Sequence, residues 1–101
     1  MEPSLLSSAQ KSRLRSLGQT LADGLDVGKA GLTPALAAEL ERQLAGRELV
    51  KLRFHGADRH ERAALCDQIA AESRSQCVGA VGHTALFFRQ NPDPKARRIA
   101  L

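Results

Sequence analysis

Apolar residues recur every three or four positions in three segments of the chain, the spacing that places them on one face of an α-helix. The predicted helices run from Ser8 to about Asp23, from Pro34 to about Ala45, and from the residue after Asp58 to about Ser73. Ser8, Thr33 and Asp58 are suitable N-caps, and Asp58 forms a capping-box pattern with Glu61. Gly46 is expected to end the second helix. The expected core residues of the helices are Leu14, Leu17 and Leu21; Leu36, Leu40 and Leu44; and Leu65, Cys66, Ile69 and Ala70.

Short or alternating apolar runs predict four β-strands between and after these helices. Leu25–Val27 is the shortest of them. From Glu48 to Phe54 the pattern alternates, so Lys51 and Arg53 are expected on one solvated, basic face. The last two predicted strands are Cys77–Val81 and Thr84–Arg89, joined by the two-residue turn Gly82–His83.

The order of elements, α-β-α-β-α-β-β, predicts an α+β fold: an α/β two-layer sandwich with a four-stranded mixed sheet and its helices mainly on one face. Two strand–helix–strand crossovers make part of the sheet parallel, whereas the closing hairpin is antiparallel. The 101 residues are expected to form a single domain, with a core of about residues 8–90 and a basic tail at 91–101. The stretch Gln90–Pro94, with Pro92 and Pro94, cannot extend a central strand. The tail from Lys95 to Leu101 is expected to be less ordered.

Composition argues against several classes of function. No apolar run approaches the roughly 20 residues that cross a bilayer, and the stretch Met1–Ser4 lacks the basic flank and apolar run of a signal peptide. We therefore expect a cytoplasmic protein without a membrane partner. Cys66 and Cys77 are predicted to be small buried hydrophobes. The histidines do not complete a metal-ligand spacing with them, so neither a metal nor a cofactor is expected.

The net charge of +4 and the isoelectric point of about 9.7 favour an acidic partner, most commonly nucleic acid. The basic residues are distributed along the chain rather than gathered in one run, and the fold could bring them together. The candidates for RNA contact are Lys11 and Arg15 on the first helix, Lys29 in the following loop, Lys51 and Arg53 on the second strand, and Arg97 and Arg98 in the tail. The alternative is that they are ordinary solvated side chains.

The tetrapeptide Gly28-Lys29-Ala30-Gly31 lies between a predicted strand and a predicted helix start. Its two glycines allow a tight turn and a close approach of the backbone to another molecule. The helix behind it begins at Pro34, and a helix N-terminus offers free N–H groups and a partial positive charge. GxxG loops of this kind grip the nucleic-acid backbone in KH-type RNA-binding domains. A purely structural turn is the competing interpretation.

Three stretches of the chain, in order, resemble one known family. They are Val27-Gly28-Lys29-Ala30-Gly31-Leu32-Thr33, Glu48-Leu49-Val50-Lys51-Leu52, and Val81-Gly82-His83-Thr84-Ala85-Leu86-Phe87-Phe88-Arg89. On these residues the sequence resembles the bacterial YhbY proteins, the stand-alone form of the CRM domain (chloroplast RNA splicing and ribosome maturation). The resemblance extends from Ser8 to about Leu101.

The resemblance implies a fold similar to the C-terminal domain of translation initiation factor three, preceded by an extra N-terminal helix. It also implies RNA binding and association with precursors of the large ribosomal subunit; in plant relatives the domain serves group II intron splicing. The family's GxxG loop corresponds to Gly28, Lys29, Ala30 and Gly31. His83 occupies a turn position where the family usually has a fixed positive charge, so an RNA contact there would depend on pH.

An enzyme is not expected, because the sequence contains no Ser/His/Asp set, paired-carboxylate system or nucleotide-binding fingerprint. We expect a monomeric RNA-binding protein that recognises ribosomal RNA mainly by backbone and shape, since the chain has three Phe and no Tyr or Trp for stacking. The alternative is a protein-interaction module that docks onto a ribosomal protein or another partner without direct RNA contact. A steep salt dependence of binding would favour RNA.

Overall fold

The computed structural model describes residues 6–101. The Met1–Ser4 stretch considered above lies outside the described residues. The elements are α1 Ser8–Gln19, β1 Leu25–Val27, α2 Pro34–Arg47, β2 Leu49–Phe54, α3 Arg59–Ser73, β3 Gln76–Val81, β4 Thr84–Phe88 and a short 3₁₀-helix Pro94–Ala96. The predicted order of helices and strands and the α+β class are confirmed.

The four strands form a mixed sheet in the order β1-β2-β4-β3. Strand β1 pairs parallel with β2, because α2 carries the chain back across the sheet between them. The β3–β4 hairpin is antiparallel, and β4 lies between β2 and β3. Gly82 takes a φ of +58° in the two-residue turn of this hairpin, a conformation that glycine adopts readily. As a result, the carboxyl ends of β1 and β2 and the β3–β4 turn meet at one end of the sheet.

Helices pack on both faces of the sheet, two on one side and one on the other. The core beneath α2 and α3 consists of Leu40, Leu44 and Ile69 with Val27, Val50, Leu52, Phe54, Ala85 and Phe87. The core beneath α1 consists of Leu14, Leu49, Val78, Leu86 and Phe88. The prediction that Lys51 and Arg53 lie on one solvated face of β2 is confirmed for Arg53, which is exposed, whereas Lys51 is half-buried. On the same face Leu49 lies beneath α1 and is only 4% exposed.

The first helix differs from its predicted bounds at both ends. Ser7, not Ser8, is the N-cap, and it forms a capping box with Gln10. The helix ends at Gln19 rather than at Asp23, so Leu21 packs against the second core from outside the helix. Leu17, predicted to be a core residue, is 39% exposed. The other two predicted caps, Thr33 and the Asp58–Glu61 capping box, are confirmed.

The second helix runs through Gly46, which was predicted to end it, and stops at Arg47. The following residue, Glu48, takes the positive φ of 67° that usually favours glycine. Its side chain is fully buried. The Glu48 carboxylate accepts hydrogen bonds from three tail N–H groups, those of Asn91, Arg98 and Ile99, at 2.5, 2.6 and 3.0 Å. The positive φ of Glu48 thus accompanies a carboxylate position that lets it accept hydrogen bonds from the tail N–H groups.

The tail, residues 91–101, is exposed at most positions but is attached to the domain at several points, including within Lys95–Leu101, the segment expected to be less ordered. Besides the Glu48 contacts, Ile99 packs against the core beneath α1. Arg13 Nε on α1 donates to the Ala100 carbonyl at 2.9 Å. The tail therefore contributes to the stability of the fold.

The two cysteines lie next to each other in space. Cys66 on α3 is half-buried, but Cys77 is exposed, which corrects the prediction that both are buried. The cause is the position of Cys77 on the edge strand β3, where a register shift interrupts pairing between Cys77 and Gly79. A hydrogen bond from Cys66 lowers the pKa of the Cys77 thiol to about 7.

Gly18 allows α1 to approach the sheet closely. An added Cβ at this position would lie 2.7 Å from Cδ2 and 3.0 Å from Cγ of Leu86. At Gly46, also within a helix, an added Cβ would meet no atom within 4 Å.

We expect Gly18→Ala to lower the free energy of unfolding by about 1 kcal/mol, because overpacking exceeds the gain in helix propensity. Gly46→Ala should raise it by up to about 1 kcal/mol. Urea unfolding of the two variants measures both, and a stabilised Gly18→Ala would contradict the close packing.

Candidate nucleic-acid interface

Residues Gly28–Gly31 form a tight turn directly after β1. The Gly31 N–H donates to the Gly28 carbonyl at 3.0 Å, and Gly31 has a φ of +69°, so the backbone itself requires the second glycine. An added Cβ at Gly28 would meet no atom within 4 Å, so this side of the turn is open to an approaching molecule. Lys29 and Ala30 are exposed at the tip.

The turn is followed at once by the N-terminus of α2. Thr33 Oγ1 accepts a hydrogen bond from the Leu36 N–H at 3.2 Å, and Pro34 occupies the first turn, where its missing N–H costs nothing. No acidic residue stands in this first turn. The positive end of the helix dipole therefore adds to the charge of Lys29.

The turn after β2 and the β3–β4 turn lie beside the glycine turn. Val27 pairs with Phe54 in the parallel register, and the His55 N–H donates to the Val27 carbonyl at 2.8 Å. The Phe54 N–H donates to the His83 carbonyl at 2.7 Å. We call this region the loop end; it comprises Gly28–Gly31, His55–Asp58, Gly82–His83 and Arg62, whose side chain contacts Ala57 and His83.

Side chains from three elements of the loop end are held together by direct contacts. The methylene groups of Lys29 lie over Gly56, where an added Cβ would come within 3.1 Å of Lys29 Cγ. Arg62, in the first turn of α3, donates to the Ala57 carbonyl at 2.9 Å, and its guanidinium lies 3.3 Å from His83 Nδ1. Because Arg62 can only donate, this contact requires an unprotonated Nδ1. The loop end thus carries Lys29, Arg62 and His83 as neighbouring groups.

Two acidic residues reduce the positive charge at this end. Asp26 Oδ1 lies 2.8 Å from His55 Nε2, and Asp23 Oδ2 accepts from Arg53 Nε at 2.7 Å. The hydrogen bond from Arg53 holds the pKa of Asp23 below its usual range, so this carboxylate stays ionised at neutral pH. Both pairs are solvent-exposed, so an incoming phosphate can compete for their cations.

The predicted pair Lys51 and Arg53 lies on the α1 side of β2, next to the loop end. Arg53 is exposed and pairs in register with Thr84, which follows His83 directly. Lys51, one pleat further along, is half-buried and opposite Leu86. Arg15, from α1, reaches the same face, where its NH1 donates to the Val78 carbonyl at 3.1 Å. Lys51, Arg53 and Arg15 are therefore continuous with the loop end.

Three further residues were predicted to contact RNA: Arg97, Arg98 and Lys11. Arg97 and Arg98 lie far from the loop end, and no hydrogen bond or ion pair within residues 6–101 joins Lys11 to it. Arg97 and Arg98 lie near Glu48, at the start of β2, because the Arg98 N–H binds the Glu48 carboxylate. Six-residue β2 separates them from the loop end by about 20 Å. Arg97 Nε donates to the Asn91 carbonyl at 2.8 Å. Lys11 lies one helical turn before Arg15 and is half-buried.

His55 and Arg62 belong to the loop end but were not among the residues predicted from the sequence. A signal for His55 exists: it follows β2 just as Gly28 follows β1, and the ends of neighbouring parallel strands meet at one edge of a sheet. No comparable signal exists for Arg62. Its proximity to His83 depends on the angle at which α3 crosses the sheet, which local patterns do not determine.

Two further properties of residues 6–101 concern other kinds of site. Among these residues no group of three or more His, Cys, Asp or Glu side chains is arranged to hold a metal ion. Within the same range, none of the helices combines the length and apolar character needed to cross a bilayer.

Comparison with known proteins gives consistent matches over almost the whole chain. The family model described as the CRS1 / YhbY (CRM) domain matches residues 6–89. A probable RNA-binding protein of Pseudomonas aeruginosa is 43% identical over 89 residues, covering 88% of this chain and 86% of the relative. An RNA-binding protein of Haemophilus influenzae is 32% identical over 90 residues, covering 89% and 91%.

A solved structure supports the architecture. The solution structure of a hypothetical protein from Staphylococcus aureus superposes with a TM-score of 0.80, covering 95% of this chain and all of that one. At 23% sequence identity the similarity concerns the fold alone. The four-stranded mixed sheet with three helices is thus a fold that other chains share.

Proposed function

Because the chain belongs to the CRS1/YhbY (CRM) domain family, we propose that it is an RNA-binding protein that grips RNA with the loop end. Its target in this proposal is ribosomal RNA in precursors of the large subunit, which it binds in the cytoplasm as a monomer. The observation that carries the proposal is the exposed Gly28–Gly31 turn, with Lys29 at its tip and the N-terminus of α2 behind it. The names of the two bacterial relatives agree with RNA binding.

The physical basis is the recognition of a phosphate by backbone N–H groups and a lysine. Gly28 leaves room for the RNA backbone to approach closely, and the dipole of α2 favours the negative charge of a phosphate. Arg62 extends the positive surface on the α3 side of the turn, with the neutral His83 ring beside it, and Arg53 extends it on the α1 side. Such contacts position an RNA by its backbone and shape rather than by its sequence.

We expect the double substitution Lys51→Glu and Arg53→Glu to weaken RNA binding by about tenfold or more, because each change replaces a phosphate contact with a repulsion. The slope of log affinity against log salt concentration should also become shallower. The thermal midpoint should change little, because the Arg53–Asp23 ion pair is exposed. Filter binding with a large-subunit rRNA fragment at several salt concentrations measures the affinity and the slope.

The matched control is Arg97→Glu with Arg98→Glu, which changes the net charge of the protein by the same amount at the other end of β2. If RNA contacts only the loop end and the adjoining sheet face, this control should weaken binding several-fold less than the β2 variant. Equal losses would place Arg97 and Arg98 in the interface, as expected from the sequence. A β2 variant that binds RNA like the wild type would remove Lys51 and Arg53 from the site.

The second candidate function is docking onto a protein, and one surface favours it. A groove of about 530 Å³ lies at the opposite end of the molecule from the glycine turn. Its lining residues are Leu17, Leu21, Gly46, Arg47, Leu49, Arg98 and Ile99. An apolar interface of this kind would bind its partner with little dependence on salt, whereas RNA binding weakens steeply. The salt titration therefore separates the two functions.

A further inference from the structure

A second concave surface lies between α1 and the sheet, beside the loop end. It has a volume of about 420 Å³. We call it the α1 groove; its lining residues are Arg15, Gly18, Gln19, Lys51, Gly79, Val81, Thr84, Ala85 and Leu86. The floor is apolar and the two cations stand at its walls. Ala85 and Leu86, both buried, form the floor, and Val81, 80% exposed, lies at its open edge, an unusual exposure for a β-branched residue in a strand.

Contacts with β3 position the Arg15 side chain at one wall of the groove. Because of the register shift in β3, the neighbouring residues Val78 and Gly79 both face α1. Val78 packs in the core beneath α1, and Gly79 lies under Arg15. An added Cβ at Gly79 would lie 2.8 Å from Arg15 Cδ, so only a residue without a side chain lets Arg15 lie flat across the strand. The guanidinium is then fixed by the hydrogen bond from its NH1 to the Val78 carbonyl. Arg15, although exposed, is therefore linked to β3 by a hydrogen bond that needs no ligand.

We propose that the α1 groove binds one unpaired nucleotide of the RNA held by the loop end. The volume is in the range of small-molecule sites, which extends from about 300 to 1,000 Å³. An extruded base would enter past the exposed Val81 side chain and stack against the Arg15 guanidinium, and Lys51 would face its phosphate. The groove adjoins Arg53, which pairs with Thr84 at its edge, so one RNA strand can reach both places.

This inference rests on the proposed function and adds to it a preference for RNA that carries an unpaired nucleotide. Backbone contacts at the loop end bind any RNA helix of suitable shape, whereas the groove would favour a helix that carries an unpaired nucleotide. The chain lacks Tyr and Trp, and the Arg15 guanidinium, whose methylene groups cross Gly79, would provide a stacking surface in their place.

The test compares two RNA stems that are identical except that one carries a single unpaired nucleotide, with each of the four bases tried in turn. The wild-type protein should bind the bulged stem about tenfold more tightly than the paired stem, the range expected for stacking one base. Val81→Glu should reduce this preference to about one, because it places a carboxylate at the open edge of the groove, where it repels the nucleotide's phosphate. Arg15→Ala should reduce it as well, and it provides a second variant should the first disturb the hairpin.

The matched control is Ala80→Glu. Ala80 precedes Val81 in β3, is also exposed, and points to the opposite face of the sheet. It introduces the same charge and should leave the tenfold preference intact. Equal wild-type affinity for the two stems, or an equal effect of Ala80→Glu and Val81→Glu on the preference, would overturn the groove proposal while RNA binding stands. Absence of binding to both stems would overturn the proposed function and the groove with it.

Discussion

A variant in which Lys29 and Ala30 are both replaced by Asp should fold like the wild type and lose about a hundredfold in affinity for ribosomal RNA. Charge-assisted contacts contribute about 1.5–3 kcal/mol each, and the substitution removes at least one of them and adds repulsion at the point of closest approach. The fold should survive because Gly28 and Gly31 are kept, and Gly31 is the residue that needs a positive φ. Two carboxylates just ahead of α2 are also favourable to the helix dipole.

The chain offers a closely matched control for this variant. Lys95 and Ala96 are the same dipeptide, exposed in the tail and distant from the loop end. Replacing them with two Asp residues changes the net charge equally and should reduce affinity only a few-fold, through the long-range field. Affinity should be measured at physiological salt, together with cosedimentation with large-subunit precursors and the thermal midpoint. Wild-type binding by the folded loop variant would reduce the glycine turn to a structural role.

The local features of the fold could be predicted because their causes are local. Thr33 caps α2 with its own hydroxyl, and the Asp58–Glu61 capping box and the Gly82–His83 turn each involve residues within four positions of one another. The glycine turn was found for the same reason. Its partner His55 could have been found by pairing the ends of two parallel strands.

The features that were missed depend on contacts between distant parts of the chain. Gly18 reads as a weak point in a helix until Leu86 is placed against it. The alternation along β2 places Leu49 on the same face as Lys51 and Arg53, and only the packing of α1 explains why Leu49 is buried. The hydrogen bond from the Arg98 N–H to Glu48, which places Arg98 at the far end of β2, likewise has no signal in the sequence. The side of the sheet that a helix covers is a tertiary property, and periodicity does not contain it.

Replacement of the buried Glu48 should destabilise the protein strongly. Glu48→Ala removes the acceptor for the N–H groups of Asn91, Arg98 and Ile99, all partly buried. We expect the free energy of unfolding to fall by about 3 kcal/mol, since hydrogen bonds to a charged group contribute about 1.5–3 kcal/mol each and the released tail recovers part of this through solvation. Glu48→Gln keeps one acceptor oxygen and should lose about half as much.

Backbone strain and side-chain bonding can be separated by substituting glycine. Glu48 and Arg74 are the two non-glycine residues with positive φ between residues 6 and 101, at 67° and 56°. Arg74→Gly should stabilise the protein by about 1 kcal/mol, because glycine adopts this conformation without steric cost. Glu48→Gly gains the same relief but loses the carboxylate, so it should remain destabilised by about 2 kcal/mol. Urea unfolding of the variants gives the values, and truncation after Asn91 should reproduce much of the Glu48→Ala loss. A Glu48→Gly variant as stable as Arg74→Gly would mean that the buried carboxylate contributes nothing to holding the tail.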